Sequence, residues 1–317
     1  MVFFLISKYV IIVLQHRKQD IIMEYSNIPI FLEPISKEKI WGGNNINKKF
    51  KRNYDKMIGE SWEVCNDCLI KGTDSTLFEL FSKQKVLFGN KMKDKKELPI
   101  IIKYIDAKEN LSVQVHPLKE NKKDECWYIL DCNDDSEIIY GLKENIDIDT
   151  AKKAIENNML NKYLHYVKVK KGDFIYIPAG TIHAVLKNIL LIEIQQNSNT
   201  TYRIYDWNRN RTLHLDNAKN NIIKSKEEIK NFVHTNGECN LIKNQYFNVN
   251  KINVNGIYED SINQDSCYFF NVISAKDTKL KINDKEYNIK TGDSFIIPTT
   301  IKKFILEGNF EIVKTWL

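Results

Sequence analysis

The chain has 317 residues, 43% hydrophobic and 28% charged; this length and composition allow two sizeable cores and exclude intrinsically disordered and fibrous proteins. Its net charge of +6 comes from lysines scattered along the whole length, without the dense basic run of a nucleic-acid-binding surface, so no nucleic-acid partner is expected. Six cysteines at irregular spacing predict free thiols in a reducing cytoplasm rather than a disulfide framework.

Residues 1–22 begin with an apolar stretch, Met1–Leu14, and continue with polar residues. The stretch is too short to span a bilayer, which needs about 20 apolar residues. It also lacks the leading positive charge and the small-residue cleavage site of a secretory signal. We expect residues 1–22 to be an extension outside the fold, with a peripheral membrane anchor as the alternative. No stable membrane association is expected.

Two helices are predicted as insertions into the fold. The first begins at Ser75 or Thr76, which can cap it, and the second begins at Asp149 or Thr150. Each has an apolar stripe at helical spacing. The stripes are Leu77, Leu80 and Phe81 in the first helix, and Ala151, Ala154, Ile155 and Met159 in the second.

The most informative segments carry metal-binding side chains. Residues 111–116 alternate apolar and polar, the period of a half-buried strand, so Ser112, Gln114 and His116 project from one face. Glu125 and His183 stand in two further strand-like segments. An amide oxygen, two imidazoles and a carboxylate form a mixed nitrogen and oxygen ligand set, which suits zinc or another first-row divalent ion.

An internal repeat indicates a duplicated architecture, because residues 170–178 (KKGDFIYIP) recur as residues 290–298 (KTGDSFIIP). In each copy a Gly-Asp turn leads into a short apolar strand that ends at a proline. The predicted fold is therefore mainly β, with two jelly-roll domains and inserted helices.

The second copy of the repeat lacks the metal-binding side chains. Extending the alignment puts Lys303 at the position of His183, and a looser match puts Ser266 at the position of Glu125. We place the domain boundary in the turn-rich segment 235–245. The expected division is a catalytic domain at residues 23–238, with helical insertions, and a second domain without metal ligands at residues 239–317.

Several collinear motifs resemble those of the type I mannose-6-phosphate isomerases, in the short form found in many bacteria, which have the cupin fold. The similarity runs from about Phe31 to the C-terminus. The motifs are Leu32–Pro34, Ile40–Gly43, Ile58–Glu63, Leu111–Pro117, Glu125–Tyr128, Pro178–Ala184 and Thr201–Trp207.

The resemblance implies a ligand set and a reaction. Gln114, His116, Glu125 and His183 would bind one Zn²⁺ per chain, the same four residues that strand alternation and ligand chemistry indicate. The family reaction is the interconversion of mannose 6-phosphate and fructose 6-phosphate through a cis-enediol. Such a reaction needs an acid/base group and positive charge near the developing oxyanion.

Further polar residues are candidates for these roles. Strand alternation in residues 191–195 turns Glu193 away from the apolar face, so Glu193 is the candidate base, ahead of Lys123, which would shuttle a proton or stabilise the enediolate. Guanidinium groups bind phosphate in bidentate fashion. Matching the family puts Arg203 at the active-site arginine, Arg209 at a phosphate contact and Ser112 at a phosphate-binding serine.

Two other functions fit part of the pattern. His116, Glu125 and His183 also match the facial triad of non-haem Fe(II) oxygenases. A non-catalytic regulator that binds a sugar phosphate would keep the pocket without turning the substrate over. Gln114 and the phosphate-binding set favour the isomerase over the oxygenase, and the presence of both Glu193 and Lys123 favours it over the regulator. We expect a sugar phosphate as the small-molecule partner.

Overall fold

The computed structural model describes residues 25–143, 146–157, 159–223, 229–233 and 235–317. The extension predicted at residues 1–22 lies outside these ranges. The predicted fold class, mainly β with inserted helices, is confirmed. Within the described ranges, no helix combines the length and the apolar character needed to cross a membrane.

The described residues form twenty strands, four α-helices and three 3₁₀ turns. In chain order the strands are β1 (Ile30–Glu33), β2 (Ile35–Gly43), β3 (Ile58–Val64), β4 (Leu69–Ile70), β5 (Ile100–Ala107), β6 (Val113–Val115), β7 (Glu125–Cys132), β8 (Glu137–Leu142), β9 (Leu164–Lys168), β10 (Asp173–Ile177), β11 (His183–Val185), β12 (Ile189–Gln196), β13 (Tyr202–Tyr205), β14 (Lys230–Asn231), β15 (Gly237–Lys243), β16 (Asn248–Ser261), β17 (Tyr268–Ile282), β18 (Lys285–Ile289), β19 (Ser294–Ile297) and β20 (Lys303–Trp316). The helices are α1 (Asn45–Phe50), α2 (Leu77–Lys83), α3 (Ile148–Glu156) and α4 (Leu215–Lys219), with 3₁₀ turns at Lys85–Leu87, Asn90–Met92 and Leu160–Tyr163.

The strands form three sheets. A seven-stranded sheet has the order β14-β10-β7-β12-β5-β2-β3, and a five-stranded sheet has the order β13-β6-β11-β8-β9. Apolar side chains from both sheets, including Trp127, Ile138 and Leu191, share one core, so the two sheets form a sandwich. Helices α3 and α4 cover the outer face of the five-stranded sheet.

The third sheet has eight strands in the order β15-β16-β20-β17-β19-β1-β4, with β18 beside β17. Neighbouring residues of β17 pack into two different hydrophobic cores, because successive side chains of a strand point to opposite faces. Phe270 lies in a core formed mainly by this third sheet, and Phe269 lies in a core shared with the seven-stranded sheet. The seven-stranded sheet is therefore covered on both faces, which explains why all of β5 is buried.

The repeat seen in the sequence corresponds to one structural unit used twice. Gly172 and Gly292 have φ angles of 87° and 88°, which residues with a side chain rarely adopt. In each copy the next aspartate, Asp173 or Asp293, accepts a hydrogen bond from the backbone N–H three residues earlier, at 2.8 and 2.7 Å. The predicted Gly-Asp turn leading into a strand is confirmed in both copies.

Strand pairing corrects the looser part of the alignment. Glu125 lies opposite Ile177 in the first copy, and Ile297, the equivalent of Ile177, lies opposite Tyr268 in the second. Tyr268 therefore occupies the position of Glu125, and the assignment of Ser266 to that position was wrong by two residues. The error arose because neighbouring aromatic residues match at more than one register.

The structure confirms the predicted start of the first helix and corrects that of the second. Helix α2 starts after Thr76, whose side chain accepts from the backbone N–H of Glu79, with the Glu79 carboxylate completing the capping box. Helix α3 starts after Asp147, two or three residues before the predicted caps Asp149 and Thr150, because the Asp147 carboxylate accepts from the backbone N–H of Thr150. Met159 lies beyond this helix and does not extend its apolar stripe.

The N-terminal strand joins the C-terminal part of the chain. Phe31 of β1 lies opposite Phe295 of β19, so β1 extends the third sheet, while β2 and β3 belong to the seven-stranded sheet. An ion pair adds to this connection: Arg52 binds the buried carboxylate of Glu63 at 2.8 Å and donates to the carbonyl of Gly292.

Candidate active site and metal centre

Three neighbouring strands bring the predicted site residues together. Gln114 on β6 lies between His183 on β11 and Arg203 on β13, directly opposite both in the strand register. Glu125 is the first residue of β7, in the facing sheet. The metal-binding side chains therefore meet inside the sandwich, where the two sheets face each other.

His116, Glu125 and His183 form a buried cluster whose ligand atoms all lie within 4.8 Å of one another. The Nε2 atoms of the two histidines lie 3.1 and 3.2 Å from the two carboxylate oxygens of Glu125. Within the described part of the chain, His116 Nε2 and the two Glu125 oxygens have no hydrogen bond of ordinary geometry, although the ammonium of Lys123 forms an ion pair with one Glu125 oxygen. A ring nitrogen and two carboxylate oxygens at this spacing fit a divalent cation, which would bind them together.

The outer ring nitrogens hold both imidazoles in the tautomer that a metal requires. Nδ1 of His116 lies 3.1 Å from the carbonyl of Thr200, and Nδ1 of His183 lies 2.8 Å from the carbonyl of Thr181. A carbonyl can only accept, so each Nδ1 carries the proton and each Nε2 presents a lone pair. Burial, aided by the charge of Lys123, lowers the pKa of His116 to about 3, which keeps its ring neutral.

Gln114 can add an oxygen ligand to this cluster. Its amide nitrogen lies 3.3 Å from His183 Nε2, and its amide oxygen lies 3.5 Å from the hydroxyl of Ser112. A half-turn of the amide exchanges the two atoms, which brings the oxygen to the metal side and lets the nitrogen donate to Ser112.

Lys123 is buried beside the metal cluster. Its ammonium lies 2.8 Å from Glu125 and donates to the amide oxygen of Gln195 at 3.2 Å. Burial by itself would raise the pKa of Glu125, but Lys123 and the two histidines outweigh it and hold this pKa well below its usual range. Glu125 is therefore an ionised carboxylate, as a metal ligand needs to be.

Both carboxylate oxygens of Glu193 have a partner on a neighbouring strand. One oxygen lies 3.1 Å from the ammonium of Lys103, and the other accepts from the indole N–H of Trp127 at 3.0 Å. Burial would lower the pKa of Lys103, but Glu193 and Glu60 outweigh it, so the pKa is raised and the lysine stays charged. Lys103 was not among the predicted residues; its signal was a single charged residue within the run of large hydrophobic and aromatic residues at 100–105.

A cavity of about 460 Å³ lies beside the cluster, and Gln114 and Lys123 line it while also contacting the cluster. Its lining includes six cationic and two carboxylate side chains. They are Lys37, Lys39, Lys103, Lys123, Arg203, Arg211, Glu60 and Glu193. This excess of positive charge suits an anionic ligand. A larger cavity of about 690 Å³ around Arg52 contains none of the predicted site residues, so chemistry rather than size identifies the site.

Two arginines line this cavity. Arg203 donates to the carbonyl of Thr212 at 2.8 Å, and burial together with the nearby charge of Arg211 lowers its pKa. Arg211 is oriented by Asp206, whose carboxylate accepts from the guanidinium Nε at 2.7 Å. Arg211 was not predicted from the sequence.

Arg209 lies outside the cavity lining. Its guanidinium donates to the carbonyl of Asn110 at 2.6 Å and lies 3.7 Å from Asp206. Ser112, the other predicted phosphate contact, lines the cavity. The structure thus brings together all the predicted site residues except Arg209.

Comparison with known proteins gives the family. A family model described as "Phosphomannose isomerase type I, catalytic domain" matches residues 30–145, and one described as "Mannose-6-phosphate isomerase, cupin domain" matches residues 237–317. Mannose-6-phosphate isomerase ManA of Bacillus subtilis is 35% identical over 91% of this chain and 99% of its own length. Mannose-6-phosphate isomerase of Streptococcus mutans is 32% identical over 90% and 97%.

Solved structures agree with the sequence relatives. The mannose 6-phosphate isomerase from Bacillus subtilis superposes with a TM-score of 0.82 at 30% identity, covering 90% of this chain and 99% of its own. A mannose 6-phosphate isomerase bound with zinc and yttrium shares the fold at 15% identity, with a TM-score of 0.74 over 91% and 99%. The extent and level of these similarities show that the chain belongs to the type I phosphomannose isomerase family.

Proposed function

We propose that this chain is a metal-dependent aldose-ketose isomerase that interconverts mannose 6-phosphate and fructose 6-phosphate through a cis-enediol. The observation that carries this proposal is the buried His116, Glu125 and His183 cluster beside a cavity with excess positive charge. The cluster can bind a metal near the sugar carbonyl, and the cavity can accept a phosphate dianion. Membership of the family supports the same reaction.

We propose that Gln114, His116, Glu125 and His183 bind one zinc ion per chain. The mixed nitrogen and oxygen set fits zinc, and zinc is present in a solved protein of the same fold. Bound zinc would supply positive charge for the oxygens on C1 and C2 of the open-chain sugar.

Glu193 is the proposed base. It would take the proton from C2 of the open-chain aldose and return it to C1, while Lys103 and Trp127 fix the direction of its carboxylate. Lys123 would stabilise the enediolate oxygen, because its buried ammonium lines the cavity and touches a metal ligand.

For the phosphate we propose Ser112, as the sequence predicted, together with Arg211. Arg203, predicted as the active-site arginine, lines the same cavity, where its guanidinium can bind the phosphate or the enediolate. Arg211 lines the cavity and its guanidinium is oriented by Asp206. Arg209 stays a prediction: to reach a phosphate in this cavity, its guanidinium would have to leave the carbonyl of Asn110.

We further propose that residues 23–238 form the catalytic unit and that residues 239–317 form a structural unit, tied to the first by β1 and by Arg52. Lys303 at the position of His183 supports the absence of a second metal site.

We also propose that the protein lies in the reducing cytoplasm. All six cysteines are free thiols, which supports this location.

The direct test is formation of fructose 6-phosphate from mannose 6-phosphate by the purified chain, with unphosphorylated mannose as the comparison. We expect turnover of the phosphorylated sugar and at least 100-fold lower kcat/KM for mannose, because the phosphate contacts would be lost. Tight binding of mannose 6-phosphate without turnover would instead identify a regulator. Oxygen consumption by the Fe(II)-loaded protein would indicate an oxygenase.

A further inference from the structure

Gln195 is a fully buried amide that touches two lysines of the active site. It lies on β12, directly opposite Glu125 of β7. Its amide oxygen accepts a hydrogen bond from Lys103 at 2.6 Å and another from Lys123 at 3.2 Å. Gln195 does not line the substrate cavity, so any effect that it has on the reaction passes through the groups that it contacts.

The orientation of this amide is fixed by its nitrogen. The amide nitrogen of Gln195 donates to the backbone carbonyls of Gln196 and Ser198 at 3.0 and 2.8 Å. Carbonyl oxygens can only accept, so a flipped amide would lose both bonds and would face two ammonium groups with donors. The oxygen therefore has one stable position, between the lysines.

Each lysine in turn holds a carboxylate with a proposed role. Lys103 lies 3.1 Å from Glu193, the proposed base, and Lys123 lies 2.8 Å from Glu125, a proposed metal ligand. The hydrogen bonds of Gln195 complete a continuous buried chain from the base to the metal cluster. Two ammonium groups within about 6 Å of each other repel, and an oxygen between them offsets that repulsion.

We propose that Gln195 is a positioning residue that sets the separation of Lys103 and Lys123, and through them the placement of Glu193 relative to the metal ligands. This inference rests on the proposed isomerase function. It accounts for a buried polar side chain whose four hydrogen bonds are all made.

The first test is Gln195→Met, which keeps the length of the side chain and removes the acceptor. We expect kcat for mannose 6-phosphate to fall about 10- to 100-fold, as for other residues that orient catalytic groups, with KM and zinc content changed less than threefold. Gln84→Met is the matched control, because Gln84 is another buried glutamine outside the cavity. Gln195→Asn is a milder variant in case the methionine prevents folding; its shorter side chain cannot reach both lysines, so it should lower kcat in the same direction.

A double-mutant cycle separates positioning from mere structural support. If Gln195 acts through Lys123, Gln195→Met should lower kcat far less in a Lys123→Met background than in the wild type. If Gln195 had only a structural role, Gln195→Met would lower kcat by the same factor in both backgrounds. The rates are measured with enzyme in excess, so that slow variants remain quantifiable. Equal losses, or a kcat for the Gln195 variants within threefold of wild type, would overturn the inference. Absence of turnover in the wild-type chain would instead contradict the proposed function.

Discussion

Replacement of Glu193 by glutamine keeps the shape of the side chain and removes the charge that the proposed proton transfer needs. The amide oxygen can still accept the indole N–H of Trp127, which leaves the amide NH₂ facing the ammonium of Lys103. Lys103 keeps its bond to Gln195 at 2.6 Å. None of the proposed metal ligands has a hydrogen bond or ion pair with Glu193 among the contacts of the described residues, so metal binding should survive.

The expected loss in kcat is about 10²- to 10⁴-fold, the usual contribution of general acid or base catalysis, or about 3–5 kcal/mol in activation free energy. KM should change less than threefold, because Glu193 is proposed to contact the reacting carbons rather than the phosphate. Fructose 6-phosphate formation is followed by a coupled NADPH assay, and exchange of the C2 proton with deuterated water is followed by NMR. Both rates should fall together.

The control for this prediction is Glu311→Gln. Glu311 accepts from the hydroxyl of Tyr128 at 3.1 Å and lies 3.7 Å from Lys251, a pairing like that of Glu193, but it is outside the active-site cavity. Its variant should retain kcat within threefold. Full activity in Glu193→Gln, or a loss that follows a loss of zinc, would refute the assignment of Glu193 as the base.

Four further variants test other parts of the site and the fold. His183→Ala should lose both turnover and bound zinc, which elemental analysis of the dialysed protein measures. Arg211→Met should raise KM for mannose 6-phosphate at least tenfold, because it removes one charge-assisted hydrogen bond of about 1.5–3 kcal/mol. Arg209→Met should raise the same KM less than threefold. A larger increase in KM for Arg209→Met than for Arg211→Met would identify Arg209 as the phosphate contact. Arg52→Met should lower the free energy of unfolding in urea by about 3–5 kcal/mol, because it leaves the carboxylate of Glu63 buried and unpaired, and a loss below 1 kcal/mol would contradict this.

Local patterns in the sequence were enough to predict the strands that carry the metal-binding residues. Alternation placed Ser112, Gln114 and His116 on one face, and the Gly-Asp turns identified two copies of the same hairpin. These features depend on residues close together in the chain, so their spacing is visible without the fold.

The contacts between distant strands could not be predicted in the same way. The pairing of Lys103 with Glu193 and of Lys123 with Gln195 depends on the register of β5, β7 and β12, which sequence spacing does not give. For the same reason β1 gave no sign that its partner would be β19. The choice between Arg209 and Arg211 depends on which of them turns into the cavity, and both follow the same motif.

Isomerisation is proposed to require the metal that His116, Glu125 and His183 would bind. The most direct measurement is a zinc titration of chelator-stripped protein that begins at Met23, with the rate of fructose 6-phosphate formation as the readout. We expect no turnover without metal and a linear rise that saturates at one zinc per chain, with no recovery in His183→Ala. Turnover that survives complete removal of the metal, or full recovery in His183→Ala, would contradict it.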